Sequence, residues 1–147
     1  MKYSQAKWGR IFTVRLEDGD VVHTCLEELA AEKGIQRAAV ILLGGVDKGS
    51  TLIVGPEKGR ERPVNPMEFV LDNVHEVAGV GTIFPNEAGR PVVHMHAACG
   101  REGATVSGCI RAGVTTWQVG EAVIMELTDN RAIRKKDPSI GFELLDM

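Results

Sequence analysis

The sequence predicts an α+β fold, a mostly antiparallel β-sheet with one main α-helix packed on it. Three observations carry that expectation. Stretches in which apolar and polar side chains alternate recur along most of the chain, which is strand spacing. One stretch near the N-terminus has helical spacing instead. Short Gly- and Pro-containing breaks separate the later stretches and suit hairpins better than crossover helices.

Taken in order, residues 9–17 set Ile11, Thr13 and Arg15 against Phe12, Val14 and Leu16, a strand pattern that Gly19 breaks. A helix is expected from Asp20, with Leu26, Leu29, Ala30 and Ile35 on one side and Glu27, Glu28, Glu32 and Lys33 on the other. Gly34 supplies its C-cap. Residues 38–43 and 51–54 read as strands around a glycine break or bulge at Gly44-Gly45. Residues 55–66 are an exposed loop, and 67–71 a short strand. Strands follow at 74–84, 91–98, 105–112 and 117–127, with a last one at 131–135. The 91–98 and 105–112 strands join through Gly100-Arg101-Glu102-Gly103.

At 147 residues the chain suits one domain, 1–147, since halves would be too small for a good core. Its 44% hydrophobic and 25% charged residues are ordinary for a globular protein. No run of about 18 uncharged apolar residues is present, so no membrane helix is expected. Met1 to Gln5 lead into no hydrophobic stretch of the secretory kind, and the expectation is a cytoplasmic protein.

The net charge of −3 lacks the basic excess that phosphate neutralisation demands of a DNA-binding domain. Lys58, Arg60 and Arg62, and then Arg131, Arg134, Lys135 and Lys136, form short clusters interrupted or flanked by Glu57, Glu61 and Asp137. They read as solvated loop charges. Three cysteines, an odd number without a Cys-x-x-Cys pair, argue against a disulfide framework. Cys25 and Cys99 read as small hydrophobes, which leaves Cys109.

His94-Met95-His96 carries the chemistry. Positions i and i+2 of a strand share a face, so both imidazoles converge, while Val93, Met95 and Ala97 take the core side. On the next strand Thr105, Ser107, Cys109 and Arg111 form the polar parity. A turn centred between Arg101 and Glu102 sets His94 opposite Cys109 and His96 opposite Ser107, with Cβ atoms about 5 Å apart. His94, His96 and Cys109 then form a metal site for a divalent transition metal, zinc first, with a fourth position left for water, substrate or another subunit. His75 and Glu121 are candidates for an additional role, as further ligand, proton shuttle or general base. His23, in the first turns of the helix, reads as structural.

These residues resemble a known family. Gly79-Val80-Gly81-Thr82-Ile83, then 89–96 with the His-x-His, then Gly108-Cys109-Ile110, look like successive core motifs of the plants-and-prokaryotes-conserved (PPC) domain, also called domain of unknown function 296. Leu16-Glu17-Asp18-Gly19-Asp20, residues 34–40 and Glu121-Ala122-Val123-Ile124 fit as well. The resemblance implies the same α+β fold, a homotrimer, and a stand-alone bacterial or archaeal type. In plants the domain accompanies AT-hooks, and bacterial members are often labelled DNA-binding by analogy. This chain has no Arg-Gly-Arg-Pro, and Gly59-Arg60-Glu61-Arg62-Pro63 only imitates it. The family's later motif reads Gly-His-Leu, so Cys109 stands where a ligand histidine is expected. A metal-dependent enzyme or a small-molecule sensor are the functional alternatives. A cupin is rejected, because no acid follows His96 until Glu102 and the distal histidine motif is missing.

Overall fold

Every strand pairing in the large sheet is antiparallel, and α1 covers one of its faces. The computed structural model describes residues 1–60 and 62–147; Glu61, inside the AT-hook-like stretch, lies outside them. The chain runs β1 (Lys7–Glu17), α1 (Val22–Lys33), β2 (Ala38–Val46), β3 (Thr51–Pro56), β4 (Pro66–Val70), β5 (His75–Pro85), β6 (Pro91–Arg101), β7 (Ala104–Cys109), β8 (Thr116–Thr128), β9 (Ile133–Lys136) and β10 (Glu143–Asp146). Eight strands form a sheet in the order β1-β8-β2-β5-β6-β7-β3-β4, and β9 pairs with β10 in a separate C-terminal hairpin.

One contiguous core lies between α1 and the sheet. Val22, Leu26 and Ala30, one face of α1, meet Val40, Leu42, Ile83, Met95, Ala97 and Ile124 from alternate positions of the strands. The helix starts at Val22 rather than Asp20, since Asp20 accepts a hydrogen bond from the Glu17 amide and closes the preceding turn. It ends as expected at Gly34, whose φ of 65° lets its amide reach the Ala30 and Ala31 carbonyls. The bulge expected at Gly44-Gly45 is where β2 shifts register against β8. A Cβ on Gly44 would collide with the Val119 carbonyl oxygen, so the close approach requires glycine.

Two elements depart from expectation. The strand through 105–112 stops at Cys109, and Ile110–Ala112 turns into a short 3₁₀ segment that buries Ile110. Strand β10 pairs residue by residue with β9, a partner the polar C-terminal sequence did not announce. Arg134, expected among solvated charges, is only 3% exposed. Its guanidinium donates to Thr82 Oγ1 and the Val92 carbonyl and lies over the Phe84 ring, so the C-terminal hairpin is anchored to β5 and β6. No helix among the described residues is long and apolar enough to cross a membrane.

Candidate metal centre

The site begins with the alternation of β6. Val93, Met95, Ala97 and Cys99 are buried, while His94, His96 and Ala98 are exposed on the face away from α1. The hairpin to β7 then sets what faces the histidines. Arg101 pairs with Ala104, leaving Glu102-Gly103 as a two-residue turn with φ of 52° and 81°. Two consecutive left-handed residues suit the twist of a tight hairpin, and Gly103 takes the second position without steric cost. A turn centred one residue earlier would demand that conformation of Arg101 and Glu102, neither of them glycine.

The consequence is a correction to the expected register. His96, not His94, is opposite Cys109, and Ser107 faces Ala98. The slide amounts to two residues, which preserves the face, so Cys109 remains on the side of the histidines. The donor atoms of His94, His96 and Cys109 all lie within 4.8 Å of one another. The two imidazole Nε2 atoms are 3.2 Å apart, with the rings nearly perpendicular at 77°. Two nitrogens bound at about 2.0–2.1 Å to one tetrahedral zinc are separated by about 3.3 Å. The spacing of the histidine pair matches that of two ligands on a single tetrahedral ion, and the Cys109 thiol lies close enough to offer a third, softer donor.

The local electrostatics match that chemistry. Partial burial and the positive charges of Arg134, Arg111 and His96 push His94 down to about 4, which keeps its ring in the neutral, ligating form at neutral pH. Burial pushes Cys99 up to about 11, and burial with Asp20 and Glu28 nearby raises Cys25. Neither of these thiols is poised to ligate. Cys109 is half-buried at the end of β7, paired with Ile53 of β3.

The other candidates lie elsewhere. His75 begins β5, seven residues before the Thr82 that pairs with His94, so it is about 23 Å away along the strand. Its Nδ1 is 2.9 Å from the Asn73 carbonyl oxygen. Glu121 on β8 is exposed and pairs with Arg15 and Leu43. Three strand spacings, roughly 14 Å, separate its strand from β6. Neither belongs to the cluster. The burial of Arg134 depends on the β9–β10 hairpin; locally it shares the parity of buried Ala132, two residues before it.

Fold and site together define an antiparallel-sheet protein with a strand-borne His-x-His pair and a facing cysteine. The chain belongs to the Plants and Prokaryotes Conserved (PCC) domain family, whose model matches residues 3–128. It is similar in structure to a metal-containing protein from Archaeoglobus fulgidus, at 22% identity over the whole of both chains and a TM-score of 0.83. A PPC protein from Pyrococcus horikoshii matches at 21% identity over 100% of this chain and 98% of that one, with a TM-score of 0.82. A protein named "putative DNA-binding protein" from Ralstonia eutropha JMP134 matches at 23% identity over 92% and 90%, with a TM-score of 0.70. At such identities these likenesses speak for the fold. No curated protein matches the sequence.

Proposed function

We propose that this protein is a metal-binding member of its family, with one divalent transition ion, zinc in the first place, held by His94, His96 and Cys109. The observation that carries the reading is the 3.2 Å separation of the two Nε2 atoms with the Cys109 sulfur inside the same small group. Two imidazoles and a thiolate are a borderline-soft donor set suited to zinc, and three protein ligands leave a fourth position open. When bound, the ion would supply a Lewis acid or an activated water at that position. The similar protein from Archaeoglobus fulgidus being metal-containing is consistent with this.

The working unit is a homotrimer. Ile41 and Leu43 of β2 and Val80 of β5 are 43%, 53% and 71% exposed on the same open sheet face as the histidines. Contiguous apolar surface of this kind favours burial against another copy. DNA association has the weaker support, because the net charge is −3.

Elemental analysis of tag-free protein beside His94→Ala and Cys109→Ala tests the centre. The wild type should carry one ion per chain and both variants should lose most of it. Full retention by Cys109→Ala, or no stoichiometric metal in the wild type, would show the three-residue site to be wrong.

A further inference from the structure

We propose that the cleft beside this centre binds a small organic monocarboxylate with a compact apolar body, its carboxylate directed to Arg111 and the open coordination position. The inference rests on the metal reading above and adds the class of ligand. A half-open cleft of about 400 Å³ has His94 and Cys109 on its floor. That volume lies toward the small end of small-molecule sites, about 300–1,000 Å³. Ile53, Pro66, Phe142 and Leu144 give it apolar walls, while Arg111 and Glu143 are its charged groups.

Charge decides the sign of the ligand. Among the described residues Arg111 makes no hydrogen bond or ion pair, although its guanidinium bears on both His94 and Arg134. Arg134 is buried on neutral partners, Thr82 and the Val92 carbonyl, and among the described residues no carboxylate forms a salt bridge with it, although Glu143 is near enough to act on it. A divalent ion with one thiolate remains cationic, so two guanidinium groups beside it leave a marked positive excess. A partly enclosed positive site attracts an anion, and Arg presents a planar fork that matches a carboxylate. Glu143, also in the cleft lining, repels a second negative charge, which favours a monoanion over a dicarboxylate or a phosphate. The apolar walls then select a hydrocarbon body over a bare small anion.

Phe142, Glu143, Leu144 and Arg134 all follow residue 128, outside the stretch that the family model matches. The β9–β10 hairpin thus adds to the shared sheet one wall of the cleft and the buried charge behind its floor.

The test uses cobalt-loaded full-length protein, with metal content measured first and hexanoate, acetate, 1-hexanol and succinate as probes. Calorimetry and the cobalt visible spectrum follow binding. Hexanoate should bind at least tenfold more tightly than acetate, 1-hexanol or succinate, and should perturb the cobalt bands. Arg111→Gln should weaken hexanoate at least tenfold with metal content unchanged, and Phe142→Ala should reduce the advantage of hexanoate over acetate. Stoichiometric cobalt with no preference for hexanoate, or with Arg111→Gln binding like wild type, would overturn the cleft and leave the metal centre standing. Failure to take up cobalt or zinc would overturn the metal centre, and this ligand with it.

Discussion

The two faces of β6 differ sharply. Toward α1, Met95 is 1% exposed and Cys99 0%, packed among the aliphatic side chains of the core. One residue along in either direction, His94 and His96 stand exposed on the opposite face and turn their nitrogens toward each other. Neighbouring residues of one strand are thus assigned to different tasks, because successive Cβ atoms point to opposite sides. The core face holds the sheet against the helix; the open face carries donors whose geometry depends on that sheet staying rigid. The difference teaches that fold and chemistry here are separable by mutation.

Met95→Ala should break the core face with the largest effect. Met95 packs against the glycines of β5, where added Cβ atoms would lie 3.1 Å from its sulfur at Gly79 and 2.7 Å from its Cβ at Gly81. Truncating a buried methionine costs about 2–5 kcal/mol, measured by urea denaturation of the metal-free protein. The fraction that remains folded should still bind one metal ion per chain. A folded Met95→Ala protein without metal would show that the two faces are coupled after all.

His96→Ala is the complementary change. The metal-free protein should keep its stability within about 0.5 kcal/mol, as exposed substitutions do. Wild-type protein should gain about 2.7 kcal/mol at free zinc a hundredfold above its dissociation constant, and His96→Ala should lose nearly all of that gain. Thermal unfolding with and without zinc reads both quantities. An equal zinc-dependent gain in the variant would remove His96 from the centre.

How much of this was legible in the sequence follows from range. The His-x-His pair and the parity of Cys109 are local features of period two, so the sequence displayed them directly. The partner across the hairpin differs from the expected one by two residues, because the register depends on which residues occupy the left-handed turn, and Glu102 takes one of those places without being glycine. The end of β7 at Cys109 and the 3₁₀ segment after it accompany the burial of Ile110. Arg134 is the residue that sequence could least reveal. Its burial requires β10, whose pairing with β9 brings together residues that carry ordinary surface charges. Glu121 and His75 were plausible by residue type, but the strand order puts each of them well away from the cluster.

The core side also carries a charged pair at its rim, and it sharpens the contrast between the faces. Glu126 of β8 has the parity of Ala122 and Ile124, and its carboxylate accepts hydrogen bonds from Arg10 Nε at 2.7 Å and Nη2 at 2.8 Å. Arg10 also donates to the carbonyl of Lys33 in the last turn of α1, so the pair ties β1 and β8 to the helix end. The hydrogen bonds from the Arg10 side chain hold the Glu126 carboxyl below its ordinary value of 4.5. A carboxyl lowered in the folded state contributes stability above its unfolded value, and that contribution fades as pH falls through the folded one. With Glu126 12% exposed and Arg10 53%, screening keeps the contribution small. Glu126→Gln should cost about 1 kcal/mol near neutral pH, where the carboxylate is charged and bidentate. The difference from wild type should shrink well below pH 4.5, when both side chains are neutral. Metal content should not change, since the pair stands on the other face and three strands from β6. A Glu126→Gln penalty that stays constant through that acid range would mean that shape rather than charge gives Glu126 its value there.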